Sequence, residues 1–150
     1  MNASVIHTVM TEARNCAMAM LDSGTYIERE LPNVRMDDAA RTMATALCSQ
    51  LIGTKHDIIH ELFELDELLS SDASDDRVAS AVALIIQWLW DDICQMHELV
   101  TTLEAATHGQ ADDGGAYLLV AESAVNILNP FNRAKAAADL ITQTNATGNA

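Results

Sequence analysis

The stretch from Val78 to Leu103 sets the strongest constraint on what this chain can fold into. Val78, Val82, Ile85, Leu89, Ile93, Met96, Val100 and Leu103 recur every three or four residues, which is the repeat of one helix face. The first half of the stretch is apolar on its other sides too, at Leu84, Ile86, Trp88 and Trp90. Charge first breaks in at Asp91-Asp92, where a buried helix would surface. A helix that is apolar all round must be covered all round. A central helix with the rest of the chain wrapped on it is therefore predicted.

The flanking segments supply the wrapping. Ser4 suits the cap of a first helix over about 5–22, with Ile6, Val9, Ala13, Cys16, Ala17, Met20 and Leu21 inward. Gly24 reads as its stop signal, and 25–36 as a connector ending at Pro32-Asn33. A second helix follows over about 37–69, opened by Asp37 and Asp38 at its positive end. It carries one stripe through Ala40, Met43, Leu47, Leu51, Thr54, Ile58, Leu62, Leu65 and Leu69. A second stripe, Ile52, His56, Ile59 and Phe63, implies a second neighbour. Gly53, near the middle, marks a site of bending or a break.

The polar run Ser70–Asp76 is a turn, with Ser74 as the next N-cap. Its shortness makes helices two and three an antiparallel hairpin. After a Gly-containing turn at 110–115, a fourth helix is expected over about 116–128, with Leu119, Val120, Ala124, Ile127 and Leu128 inward. Asn129-Pro130 reads as the cap and first residue of a short fifth helix, striped by Phe131, Ala134, Ala138 and Ile141. The fold class is thus all-α. A single antiparallel bundle of four main helices plus a short C-terminal fifth is built on the hairpin of 37–69 and 78–108. Residues 1–141 form the domain and 142–150 a disordered tail. The composition agrees: 49% of residues are hydrophobic but only 4% aromatic, and two prolines and six glycines leave long uninterrupted segments.

Charge narrows the partners. The net charge is −14, and between His56 and Asn132 fifteen acids face one basic residue, Arg77. Such a surface repels nucleic acid phosphates and anionic membranes. The longest apolar run, about 13 residues with Ser80 and Gln87 inside it, is too short to span a bilayer. No charged and apolar leader opens the sequence. Cys16, Cys48 and Cys94 are odd in number, far apart and each within a helical pattern, so three buried free thiols in a reducing, cytoplasmic setting are expected. The triplets Asn2-Ala-Ser4 and Asn145-Ala-Thr147 carry meaning only in a secreted chain.

The candidate chemical motifs fall short of a catalytic set. His56 and His60 have metal-ligand spacing, but no partner ligand is evident, and His56 falls in an apolar stripe that suits packing. Glu61-x-x-Glu64-x-x-Glu67 resembles, over these few residues, the carboxylate spacing of all-helical nucleotide pyrophosphatases. The resemblance implies magnesium held between helices, yet the second acidic motif and the basic residues for a triphosphate are absent. Asp91-Asp92 beside Trp88 and Trp90 would suit an acid–base cleft, but Lys55 is expected to lie near as an ion-pair partner. No catalytic residue, metal ligand or cofactor is assigned.

The functional expectation is therefore a non-enzymatic, acidic protein-interaction module, an inhibitor or regulator of a partner with a basic surface. Asp57, Glu61, Glu64, Glu67, Asp72, Asp75 and Asp76 are the candidate partner-binding residues. Mimicry of nucleic acid is one version of this, and a second copy of the chain is another candidate partner. The rival reading is a metal-dependent bundle enzyme acting on nucleotides through helix-borne carboxylates.

Overall fold

The computed structural model describes the backbone of residues 3–107 and 114–148, and all side chains within them except at positions 54, 55, 106, 107, 114–123, 142 and 144–148. Among the described residues the chain is all-helical, without a strand. Four helices pack against each other: α1 (Ala3–Glu30), α2 (Asp38–Ser70), α3 (Asp75–Thr107) and α4 (Gly114–Gly148), with a 3₁₀ turn at Leu31–Asn33. α1 lies against α2 and α4, α3 lies against the same two, and α1 touches α3 only lightly.

Helix α1 runs past Gly24, where a stop was expected. The reason lies across the interface with α2. A Cβ on Gly24 would stand 3.1 Å from Ile52 Cγ1 and 3.3 Å from the Cys48 carbonyl oxygen. The glycine is there for close helix approach rather than for a cap. Ile6, Val9, Ala13, Cys16, Ala17, Met20 and Ile27 are buried along this helix. The α-helix ends at Glu30, passes into the 3₁₀ turn that holds Pro32, and the chain turns extended at Val34, so the connector is short. The Arg41 guanidinium fastens it, donating from Nη1 to the Leu31 carbonyl and from Nη2 to the Val34 carbonyl at 2.9 Å. The bond to Val34 gives its carbonyl a donor, and the bond to Leu31 adds to the one that this carbonyl accepts from the Val34 amide at 3.2 Å.

Helix α2 opens as expected. Asp37 is the N-cap, its Oδ1 accepting from the Ala40 amide at 2.7 Å. The helix passes through Gly53 unbroken, and nothing lies within 4 Å of where a Cβ would be. Of the two expected stripes only the first is well buried, at Leu47, Leu51, Ile58, Leu62 and Leu65, joined by Ala44 and Cys48. Met43 and Leu69 at its ends are exposed, as are His56 and Phe63 from the second stripe. His56 is therefore not a packing histidine.

The turn between α2 and α3 is a Schellman motif. The Ala73 amide donates to the Leu68 carbonyl at 3.1 Å, and Asp72 takes the left-handed position, with φ 59°. Ser74 caps α3, its Oγ accepting from the Arg77 amide at 3.4 Å.

Seven of the eight stripe residues of α3 are buried, Val100 is half-buried, and Leu99 joins them. Yet α3 is one wall of the bundle and not its centre, because Leu84 and Trp90 remain 41% and 49% exposed. Asp92, expected at the surface, is buried, while Asp91 is exposed and accepts from Gln87 Nε2 at 3.0 Å. Lys55 falls among the side chains outside the described set.

Asn129-Pro130 does not divide the C-terminal segment. Helix α4 continues through Pro130 and past Ile141 to Gly148, so one helix stands where a fourth and a fifth were expected. Packing overrides the missing amide: Ile127, Phe131, Ala134, Ala137, Ala138 and Ile141 are all buried on both sides of the proline. Pro130 cannot donate to the Asn126 carbonyl, and its ring crowds that turn. The next carbonyl, of Ile127, accepts from the Cys16 thiol of α1 at 3.5 Å. One turn on, Arg133 Nε donates to Glu12 Oε2 at 3.0 Å, a second tie between the same helices. Leu128, expected inward, is 36% exposed, and Leu119 and Val120 lie outside the described side chains.

Candidate functional site

The seven candidate carboxylates occupy the second half of α2 and its junction with α3. Asp57, Glu61 and Glu64 stand at i, i+4 and i+7, and so share one side of α2. Glu61 is half-buried and the other six are exposed. From Asp57 to the end of α2 the helix rises about 20 Å. Asp72 lies in the turn, and Asp75 and Asp76 form the first turn of α3, where the helix dipole favours negative charge. Two basic side chains reach this surface among the described residues. His60 Nε2 lies 3.8 Å from Glu64 Oε1, with both side chains largely exposed. Arg77, coming from α3, shares with Glu64, Glu67, Ser70 and Ser71 a shallow depression of about 450 Å³. An exposed pair of this kind contributes at most about 1 kcal/mol.

Two apolar grooves lie elsewhere among the described residues. Between α3 and α4 a groove of about 510 Å³ is lined by Trp90, Ile93, Cys94, Met96, His97 and Leu128, among others. Trp90 is held at its edge by Phe131, with the ring centroids 5.8 Å apart. Between α1 and α2 a groove of about 410 Å³ exposes Phe63 and Met18, with Arg14, His7 and Asp66 beside them. The sequence reading missed the first groove because it placed Trp90 and Leu128 inside. A signal was present: Trp90, Cys94 and His97 recur at helical spacing beside the buried stripe, a half-polar edge that a fully covered helix would not carry.

The thiols divide two to one. Cys16 and Cys48 are buried, and Cys94 is exposed, against the expectation of three buried thiols. Burial pushes the Cys16 thiol up to about 12, and the neighbouring Asp92 carboxylate adds to the rise. Burial does the same for Cys48, also to about 12, with Glu28 contributing. A thiolate is thus strongly disfavoured at both positions, which suits inert packing. Among the described residues no three His, Cys, Asp or Glu side chains gather so as to hold a metal ion. No helix among them is long and apolar enough to cross a membrane.

No known protein-family model matches this chain, and no curated protein or solved structure matches it either.

Proposed function

We propose that this protein is a non-enzymatic interaction module whose acidic face receives a partner with a basic surface. The observation that carries the reading is the exposure of Asp57, Glu64, Glu67, Asp72, Asp75 and Asp76 along the second half of α2 and its junction with α3, with Arg77 and the His60 imidazole beside them. Carboxylates in this number steer a cationic partner by long-range attraction and set its salt dependence. Spaced along a helix, they also stand in for a row of phosphates, the nucleic-acid-mimic version of the same reading.

The reading includes an antiparallel bundle with α2 and α3 as its hairpin. Two features support that topology: the connection is only Ser71–Ser74, and Thr102 near the end of α3 donates to Met43 Sδ near the start of α2 at 3.5 Å. It also places the protein in a reducing compartment, the cytoplasm, where three free cysteines persist.

The test is co-purification of partners from lysate at low and at high salt, with the unmodified chain and with the Asp57→Gln, Glu61→Gln, Glu64→Gln triple variant. A basic protein retained at low salt, released as salt screens the charges and lost from the variant is the expected result. A partner held equally by both proteins at both salt levels would overturn the reading.

A further inference from the structure

The α3–α4 groove has the shape and surroundings of a helix-binding site, and we propose that it takes the apolar face of a basic amphipathic helix from the partner. The inference rests on the reading of a basic partner and adds where, and in what conformation, that partner docks. Three observations carry it.

The first is length. From Trp90 to Val100 the groove follows α3 for about 15 Å, long enough to receive apolar anchors at i, i+3 or i+4, and i+7 of a second helix.

The second is the lining. Ile93, Met96, Val100 and Ile127 offer apolar walls, and Met96 is a side chain that adapts to what it meets. Trp90 and Leu128 stand exposed at the edge, with Val125 exposed one turn before Leu128 on α4. The Trp90 ring is already fixed against the buried Phe131, so little side-chain freedom remains to be lost on binding.

The third is charge, which selects among occupants. On the described part of α3 beside the groove Asp91, Glu98 and Glu104 are exposed, and no lysine or arginine lies between Trp90 and Thr107. A second copy of a −14 chain would bring like charge to this edge, as would an acidic helix or an anionic lipid. A helix with leucine-like residues on one face and lysine or arginine on the other satisfies both the groove and its rim.

Cys94 supplies a native reporter. It lines the groove and is exposed, whereas Cys16 and Cys48 are buried, so a maleimide added to the folded protein reacts there first. The probe is a peptide of about 18 residues, some five helical turns, with leucine at helical spacing and lysine elsewhere. One control keeps the leucines and replaces lysine by glutamate. A second is oligolysine of the same length. Binding is read by anisotropy of the labelled peptide and occupancy by the rate of Cys94 alkylation.

The expected result is that the Leu/Lys helix binds and slows alkylation while the two controls leave alkylation unchanged. Prior attachment of a bulky maleimide to Cys94 should block the peptide. Trp90→Ala should weaken it about tenfold, the loss typical of an aromatic anchor. If the peptide binds equally well after alkylation, it sits elsewhere on the acid surface, and the groove proposal falls while the basic-partner reading stands. If the Leu/Glu helix protects Cys94 as well as the Leu/Lys helix does, the charge selection is wrong and the proposal falls. Alkylation that slows with protein concentration alone would assign the groove to a second copy instead. If neither the Leu/Lys helix nor oligolysine binds at low salt, the basic-partner reading itself fails.

Discussion

Asp72 and the two buried thiols are the residues whose physics is sharpest. Asp72 sits at φ 59°, a position where an L side chain crowds the following carbonyl and glycine does not. Asp72→Gly is expected to leave stability unchanged or raise it by a few tenths of a kcal/mol, whereas Asp72→Val should cost about 1–2 kcal/mol. Urea midpoints of the two variants against the parent measure this. Cys16 and Cys48 make a pH prediction. Both thiols titrate near 9.0 when unfolded and near 12 when folded. Above 9.0 the unfolded state releases protons that the folded state keeps, so stability is full below that pH and falls as pH rises toward 12. Each thiol contributes a slope of about 1.4 kcal/mol per pH unit in that window. Urea unfolding at several alkaline pH values should show the fall, and a Cys16→Ala, Cys48→Ala variant should show a shallower one. An equal fall in both proteins would mean that other groups carry the alkaline transition. Which thiols were buried was only half legible in the sequence. Cys16 follows the stripe of α1, whereas Cys48 and Cys94 each lie one residue past a stripe residue, Leu47 and Ile93; Cys48 is buried where its turn of α2 meets Gly24 of α1, and Cys94 is exposed.

At the scale of the element, the two glycines inside helices offer a paired test. Gly53 lies on an exposed turn of α2 with open space about it, so Gly53→Ala should stabilise by about 0.5–1 kcal/mol. Gly24 is buried in α1, and an alanine there would press on the Cys48 carbonyl of α2. Gly24→Ala should lose the propensity gain to crowding and destabilise the protein, by about 1–3 kcal/mol. Thermal melts of both variants decide it, and a stabilising Gly24→Ala would disprove the tight α1–α2 approach. The same residues show what sequence conveys about elements. Helix type, the α2 start at Asp37 and the α3 cap at Ser74 follow from periodicity and local capping chemistry, which act within a few residues. Gly24 and Pro130 are ambiguous locally: each matches a helix-boundary signal, and each lies inside a helix because of what a distant segment presents to it. Gly24 meets α2, and the turns around Pro130 are tied to α1 through the Ile127 carbonyl and Arg133 and packed on α3 through Phe131 against Trp90.

For the whole molecule, the apolar stripes were legible and the arrangement around them was not. Val78, Val82, Ile85 and Leu89 are buried as the repeat required, but a stripe does not say how many sides of a helix find neighbours. α3 has α2 and α4 beside it and little of α1, so Trp90 and Leu84 are left outside and a groove opens where a covered core was expected. The acidic face, by contrast, could be read from residue type alone, because a charged carboxylate is costly to take out of water. It also permits a test that separates folding from recognition. Asp57, Glu61 and Glu64 share a side of α2, and like charges at i, i+4 repel by a few tenths of a kcal/mol per pair. Among the described residues one contact set against this is the exposed one of His60 with Glu64 at 3.8 Å, and exposed pairs weigh little. Replacing the three acids by glutamine should therefore leave the isolated protein as stable as before or slightly more so, measured by urea unfolding at low salt. The same change should slow association with a basic partner and flatten its salt dependence, with a smaller effect on dissociation. A variant that unfolds would reveal internal partners for these carboxylates. One that binds with unchanged on-rate and salt slope would reduce the acidic side of α2 to a solubility device and leave recognition to the groove between α3 and α4.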